Sequence, residues 1–545
     1  MNNGNTSTDS LEIAETLNEF FASVFIIDDS TVVDLNSECA TKCSDPIFNV
    51  CTVQKHLSNL NIQKSTGPDK VHPKVLKECA ESLAIPLSLI FEKSFFSGSI
   101  PNVWSCANVI PLFKKGNKLD PTNYRPVSLT SIVCKIMERI IRDQMMLYLV
   151  ENNLISKEQH GFINDKSCIT NLLETLDLIT QAFGEDYSID ILFLDFAKAF
   201  DSVSHVKLLT KLFGLGFESF ILNWCKAFLS NRTQRVVIGE NISGWKKVTS
   251  GVPQGSVLGP LLFVIFINDL SKKIIKDTKL YADDTKVISI NRSQDDIKLL
   301  QEDINTLVKW SKEWLIKFNE SKCKVMYFGK QNPKHQYMMN NSLLSETTIE
   351  KDLGIYISNN LEWDHHINTV VGKANKKLGL IKNSFDYLDE TSLKLLYKAL
   401  VRPHLEYGAS IWSPYWKKDI LKLESVQHRA TKIESLRGKT YEERLSILDL
   451  PLLEERRRRG DLIQMYKISK GKDIVNFHHP PKKFDNQQSN RRNNCRIRRQ
   501  ITNSRIRHHY FTNRVSTDWN CLSQEIIDKD NINSFKNSID KLFSF

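Results

Sequence analysis

Two acids stand side by side, Asp283 and Asp284, in the run Lys279-Leu280-Tyr281-Ala282-Asp283-Asp284-Thr285-Lys286-Val287-Ile288-Ser289-Ile290. Apolar strand-forming residues lie on both sides, so the chain must turn at the acids, and the run reads as a β-hairpin with two carboxylates at its tip. Like charges side by side repel and are expensive to bury without compensation. A hard divalent cation relieves that cost, because Mg²⁺ takes one or two carboxylates together with water and substrate phosphates. The pair therefore points toward phosphoryl transfer. Taken alone, the tetrapeptide reads more readily as a solvated Asp-Asp turn.

The rest of the chain narrows the choice. Its 545 residues allow several domains, and an apolar share of 41% is enough for sizeable cores. A formal charge of +11 calls for a polyanionic partner, either nucleic acid or an anionic membrane. No segment supports the membrane: the longest apolar run, Val257 to Ile267, contains Gly259 and Pro260 and is too short to span. The N-terminus lacks a basic, apolar signal peptide. The eleven cysteines are scattered singly, with Cys39 and Cys43 the closest pair, and read as reduced thiols rather than metal ligands.

Periodicity predicts a mixed α/β core from Phe48 to about Phe328. Helices are expected over His72 to Phe96, Leu129 to Val150, Cys168 to Phe183 and Ser293 to Lys317. Strands are expected over Ala107 to Phe113, Ile189 to Asp195, Arg235 to Ile238, Leu280 to Asp283, Lys286 to Ile290 and Lys324 to Phe328. The polar N-terminal stretch holds one amphipathic segment, Leu11 to Phe25. After residue 365 a separate helical domain is expected, with helices over His366 to Ser384, Thr391 to Leu405 and Lys417 to Ser435. From Arg456 the chain turns strongly basic, with Arg456-Arg457-Arg458-Arg459 followed by scattered arginines to Arg507, before a final ordered segment from Tyr510.

A second acid site lies upstream, in Ile191-Leu192-Phe193-Leu194-Asp195-Phe196-Ala197-Lys198-Ala199-Phe200-Asp201. The apolar run is a buried strand by composition, Asp195 falls at its exit, and Ala197 to Phe213 has helical periodicity. An acid leaving a central strand is a frequent ligand-binding placement, and a helix N-cap is the competing role. If Asp195 and Asp283 come from neighbouring strands, they can share two metal ions roughly 3.5–4 Å apart. Between the two acid sites runs Ser250-Gly251-Val252-Pro253-Gln254-Gly255-Ser256-Val257-Leu258-Gly259-Pro260, leading into an apolar helix through Leu270. Its glycines allow close approach of backbone to a ligand, and Gln254 near a helix start suits phosphate.

These three segments occur in the order and spacing of the reverse-transcriptase palm, and their wording resembles the non-LTR (LINE-type, jockey-like) retrotransposon branch. Lys64-Ser65-Thr66-Gly67-Pro68-Asp69 resembles that branch's segment upstream of the fingers. Asn123-Tyr124-Arg125-Pro126-Val127-Ser128-Leu129 and Gln159-His160-Gly161-Phe162 resemble its fingers motifs. Asn319-Glu320-Ser321-Lys322-Cys323-Lys324 and Leu353-Gly354-Ile355-Tyr356-Ile357 resemble the closing motifs of the palm. Arg402-Pro403-His404-Leu405-Glu406-Tyr407-Gly408 and Asn513-Arg514-Val515 with Trp519-Asn520 are similar to the same elements further on.

The resemblance implies an α+β (mixed α/β) right-hand polymerase fold. Its parts would be an N-terminal extension (1–45), fingers and palm (46–365), a helical thumb (366–445) and a basic C-terminal nucleic-acid-binding region (446–545). It implies that Asp195, Asp283 and Asp284 hold two Mg²⁺ ions, for which Mn²⁺ can substitute, with Asp284 the least direct ligand. Phe200 matches the steric gate that crowds a ribose 2′-hydroxyl. Arg125, held extended by Pro126, matches the clamp on the incoming triphosphate. Gln254 and Gly255 would pack on nucleotide and template, and Lys322 would protonate the leaving pyrophosphate. Lys376, Lys377 and Arg429 on the thumb would contact phosphates without reading sequence. Arg456, Arg457, Arg458 and Arg459 read either as a nucleic-acid patch or as a solvated helical face.

The implied partners are an RNA template, a DNA primer, target DNA and deoxynucleoside triphosphates, with no membrane and no particular protein partner. The implied location is nucleus and cytoplasm, as a ribonucleoprotein. One residue departs from the pattern: Ile163 follows Phe162 where the family carries arginine, with Lys166 three residues on as a substitute. Complete elements of the family also carry an endonuclease upstream, for which residues 1–45 leave no room, so the chain reads as a fragment or a truncated copy. The rival from another class is a catalytically silent, nucleic-acid-binding remnant. A group II intron maturase or telomerase is the third reading.

Overall fold

The strand Ser188–Leu194 is buried on both faces and apolar except for Ser188 and the buried Asp190, which accepts from Tyr337 Oη and Asn332 Nδ2. It forms the middle of a five-stranded sheet, antiparallel to Asp284–Asn291 on one side and to Lys324–Phe328 on the other. Asp277–Tyr281 completes the hairpin with Asp284–Asn291, and Ser345–Glu346 adds a short parallel edge beside Lys324–Phe328. The computed structural model describes residues 7–28, 41–482 and 494–543; Cys39 and Arg491-Arg492 lie outside them.

Because side chains alternate along a strand, this sheet feeds two cores. Leu192, Leu194, Val287 and Val325 join the first, with Ile297, Leu300 and Ile304 of the helix Gln294–Glu313. Ile189, Ile191, Ile288 and Met326 join the second, with Leu172, Leu176 and Ile179 of the helix Cys168–Gly184. Each such aliphatic side chain contributes roughly 1.5–3 kcal/mol by leaving water, so register is strongly specified. A second, mixed sheet precedes it: Cys106–Phe113 pairs antiparallel with Tyr124–Leu129 and parallel with Arg232–Ile238. The helix Ser10–Ser23 lays Ala14, Leu17 and Phe21 against Val109 and Val236 of that sheet.

The fold is thus mixed α+β, and three local expectations are corrected. The helix expected from Ala197 begins only at His205, capped by Ser204 Oγ accepting from Lys207 N at 3.1 Å. The intervening backbone is spent elsewhere, since Val252 N donates to Phe200 O and Gly251 N to Val203 O, both at 2.8 Å. The expected Thr391–Leu405 helix carries a wide π-type turn, Tyr397–Val401, between Glu390–Leu396 and Arg402–Glu406. Pro403, at the start of the last piece, has no N–H for regular helical bonding.

Finally, the helices after Asp364 do not form a core of their own. Trp412, Tyr510, Trp519 and Phe535 belong to the same apolar cluster as Ile189 and Ile191 of the central sheet. No helix among the described residues is long and apolar enough to cross a membrane.

Candidate active site

Tyr281 pairs with Asp284 across the hairpin, leaving Ala282 and Asp283 as a two-residue turn. Such tight hairpins need a positive φ, which Ala282 adopts at 54°. Without glycine this costs about 1–2 kcal/mol, so the turn must be held from outside. The segment Glu158–Gly161 does so. Gln159 Oε1 accepts from Ala282 N (3.0 Å) and Gly161 N (2.8 Å), His160 N donates to Leu280 O (2.9 Å), and Leu280 N donates to Glu158 O (3.0 Å). A Cβ on Gly161 would sit 2.4 Å from Ala282 N. We therefore expect Gly161→Ala to push the turn aside. Amide exchange at Ala282 and Gly161 should then quicken, because their bonds to Gln159 Oε1 are lost. Unchanged exchange at both amides would exclude this brace.

The ladder between the two central strands ends at Leu194 opposite Thr285, so Asp195, one step on, emerges beside Asp284. Lys322 stands in the turn before Lys324–Phe328, its Nζ 3.3 Å from Asp195 Oδ2. Three adjacent strand ends thus carry all three acids and the lysine. A cavity of about 340 Å³ opens there, lined by Asp195, Asp284, Lys322, Lys286 and Asp352 among others.

Burial raises the Asp283 carboxyl above its ordinary range, Arg125 opposes that, and Asp195 adds to it. Asp284 is pushed up to about 6, by burial first and then by Asp283, Asp352 and Asp195. The side chain is open to the cavity, yet protein surrounds it closely enough for desolvation to lead. Among the described residues, no three metal-ligating side chains already stand close enough to hold an ion. The donor chemistry nevertheless fits one: mutually repelling carboxylates at a sheet edge gain most from a divalent cation.

Cations gather opposite the acids. Arg125 is exposed on Tyr124–Leu129, and Lys114 follows the partner strand Cys106–Phe113. Burial lowers the Lys114 ammonium, the positive charges of Arg125, Lys198 and Lys322 lower it further, and Asp283 draws it back up. Lys114 and Lys198 are absent from the sequence-derived site. Lys114 is an unremarked lysine in its own segment that only the fold brings to the acids, whereas Lys198 follows Asp195 by three residues in the chain.

Phe200 stacks on Phe263 with ring centroids 4.3 Å apart. Gln254 Nε2 donates to Asp201 Oδ1 at 2.8 Å, and Gln254 O accepts from Ser128 N at 2.7 Å. Gly255 has φ +127°, and a Cβ there would lie 2.3 Å from Ser128 O. The loop from Gly251 therefore clips the Arg125 strand to the segment that bears Asp195 and Phe200.

Here the expectation of phosphate at a helix start near Gln254 is corrected. The helix Gly259–Ile267 begins five residues later, and the leading amides of Val257 and Leu258 donate to buried Glu138 Oε2 at 2.7 and 3.0 Å. Sequence reasoning missed Glu138, which carries no local sign of that distant role.

The family model described as "Reverse transcriptase (RNA-dependent DNA polymerase)" matches residues 113–388, just over half of the chain. This chain belongs to the reverse transcriptase family. Similar proteins include the probable RNA-directed DNA polymerase from transposon BS of Drosophila melanogaster, 27% identical over 394 residues, covering 69% of this chain and 43% of that protein. The RNA-directed DNA polymerase from mobile element jockey of the same organism is 27% identical over 395 residues, covering 70% and 43%. The probable polymerase from its transposon X-element is 24% identical over 409 residues, covering 71% and 44%. These relatives place the chain among the jockey-like non-LTR reverse transcriptases, although it spans less than half of their length.

On the helices of this reverse transcriptase, Lys376 and Lys377 are exposed on Asp364–Ser384. Arg429 is exposed on the neighbouring Lys417–Ala430 and reaches Asn375 Oδ1 at 3.1 Å. The Arg456–Arg459 run is neither a free basic patch nor a solvated face. Arg456 pairs with Glu406, Arg458 with Asp518 at 3.0 Å and Arg459 with Asp540 at 2.5 Å, while Arg457 is buried. Helix Leu453–Ser469 uses these charges to hold its neighbours. Lys166, the lysine three residues after Ile163, donates its ammonium to Lys157 O.

Proposed function

We propose that this chain is the polymerase portion of a non-LTR retrotransposon reverse transcriptase, copying RNA into DNA. The observation that carries the reading is the convergence of Asp195, Asp283 and Asp284 on adjoining strand ends, facing Arg125, Lys114, Lys198 and Lys322. Acids on one side and cations on the other suit a nucleoside triphosphate laid between primer end and leaving pyrophosphate. In this reading the central sheet is the palm, the sheet bearing Arg125 belongs to the fingers, and the helices from Asp364 begin the thumb.

Asp195 and Asp283, with Asp284 less directly, would hold two Mg²⁺ ions, or Mn²⁺ in their place. Once bound, the ions activate the primer 3′-hydroxyl and offset charge on the leaving pyrophosphate. The chain's own residues do the positioning. Arg125 clamps the triphosphate through its planar guanidinium. Lys322 Nζ, released from Asp195, delivers a proton to the pyrophosphate oxygen. Gln254 and Gly255 fix the loop on which the base and template rest.

Lys376, Lys377 and Arg429 supply phosphate contacts along the template–primer duplex. Nicked target DNA serves as primer, and the protein works as a ribonucleoprotein of nucleus and cytoplasm. The test is extension of a DNA primer on an RNA template by purified protein, in Mg²⁺ and in Mn²⁺. Absence of incorporation with RNA binding intact would leave a silent, nucleic-acid-binding remnant. Ile163 is the residue that favours that second reading; it lines a groove of about 690 Å³ together with Arg139 and Arg142.

Phe200 acts as the steric gate, supported from behind by Phe263. Phe200→Ala should raise ribonucleotide use relative to deoxynucleotide use on the order of tenfold. An unchanged ratio of the two efficiencies would remove the gate.

A further inference from the structure

The helix Ser10–Ser23 lies outside the stretch matched by the family model, and its sequence reads as part of a polar extension. In the structure it packs on the sheet that bears Arg125 and reaches Lys198. Its Phe20 ring lies under the Lys198 ammonium, 4.9 Å from Nζ to centroid. Phe20 also packs in the small cluster that includes Tyr124, the neighbour of Arg125. The chain after the helix continues to the Gln254 loop, where Ile26 N donates to Ser250 Oγ at 2.8 Å and Ser250 Oγ to Asp201 O at 2.8 Å.

Lys198 itself is three residues beyond Asp195, in a left-handed conformation with φ 52° that turns it out of the strand direction. Burial lowers its ammonium, Asp201 opposes this, and Lys322 and Arg125 lower it further. A long, flexible lysine beside other cations would swing away unless something held it. An aromatic face attracts the ammonium without neutralising it, so the charge stays available to an anion.

We propose that the N-terminal helix is a structural part of the nucleotide site, with Phe20 as a positioning residue that presents Lys198 to the triphosphate of the incoming nucleotide. The inference rests on the polymerase reading above and assigns part of its substrate recognition to a segment outside the matched family region.

The test measures equilibrium binding of a fluorescent deoxynucleoside triphosphate with Mg²⁺ to the protein on an RNA–DNA template–primer. Wild type, Phe20→Leu and Phe20→Tyr are compared, with melting temperatures as the folding control. Phe20→Leu keeps the apolar bulk but loses the π-face, and its Kd should rise roughly three- to tenfold. Phe20→Tyr should restore tight binding. In primer extension, Phe20→Leu should raise KM with kcat within about twofold, the signature of lost binding rather than lost chemistry. Combining it with Lys198→Met should add little to the effect of Lys198→Met alone. A Kd for Phe20→Leu within twofold of wild type would overturn the inference, as would equal weakening by Phe20→Tyr, which would mean packing only. A wild type that binds the nucleotide but never extends the primer would remove the polymerase reading and leave the role of Phe20 standing. A wild type that neither binds nor extends would remove both.

Discussion

Asp283→Asn should abolish primer extension, by at least about a thousandfold or roughly 4 kcal/mol of barrier, while leaving the protein as stable as wild type or slightly more so. The two effects have opposite signs for one reason. In the folded protein the Asp283 carboxyl is raised above its ordinary range, so its charged form is disfavoured relative to the unfolded chain. A neutral isostere removes that penalty, and near neutral pH stability should hold or rise. In the proposed mechanism the same charge draws cations to the site, so its removal should disable the chemistry. Measuring incorporation and thermal unfolding on the same preparation separates the two. Incorporation that survives the substitution would sink the ligand assignment. A loss of activity accompanied by a large fall in melting temperature would show that Asp283 is structural instead.

Asp177→Ala should cost about 3–5 kcal/mol of stability without touching the acids at all. Asp177 sits on the helix Cys168–Gly184, behind the central sheet, and is fully buried. Arg507 reaches it from the C-terminal region, with Nη1 at 2.8 Å from Asp177 Oδ1 and 3.0 Å from Thr180 Oγ1. The other carboxylate oxygen accepts from His479 N at 2.7 Å. Truncating the aspartate leaves a guanidinium that is 1% exposed with no counter-charge, the costly way to break a buried pair. Arg507→Met in the same chain should recover part of the loss, because it removes the stranded charge. Urea unfolding followed by tryptophan fluorescence reads both, as Trp519 is buried in the cluster this region shares with the sheet. A single-variant loss below about 1 kcal/mol would mean that the C-terminal region is not locked to the central helix.

The strands that carry the site were legible because their signal is local. Alternation and β-branched runs predict Ile189 to Asp195 and Lys324 to Phe328, and the observed strands are Ser188–Leu194 and Lys324–Phe328. The acids between apolar runs likewise predict a turn at Asp283, and the hairpin closes there. The helix expected from Ala197 failed for a non-local reason: the backbone of Phe200 and Val203 bonds the loop at Gly251 and Val252 instead. Three of the four arginines from Arg456 (Arg456, Arg458 and Arg459) failed in the same way. Their partners Glu406, Asp518 and Asp540 lie some 50 to 81 positions away, and no window of sequence shows that a charge run is already paired.

By itself the sequence determined the chemical inventory: the strands that lead into the acids, that acids end two of them, and that the fold is mixed α+β. The tertiary structure decided which charges meet. It set Asp195 beside Asp284 through strand register, gathered Lys114, Arg125 and Lys198 opposite them, and put Gln159 and Gly161 beneath the Ala282–Asp283 turn. It also paired Arg456, Arg458 and Arg459 with distant acids, buried Arg457, and set Phe20 of the helix Ser10–Ser23 against Lys198. The division follows from range. Periodicity and turn chemistry act over a few residues and are written along the chain, whereas hydrogen bonds and ion pairs act over a few ångströms and depend on which distant segments packing brings together.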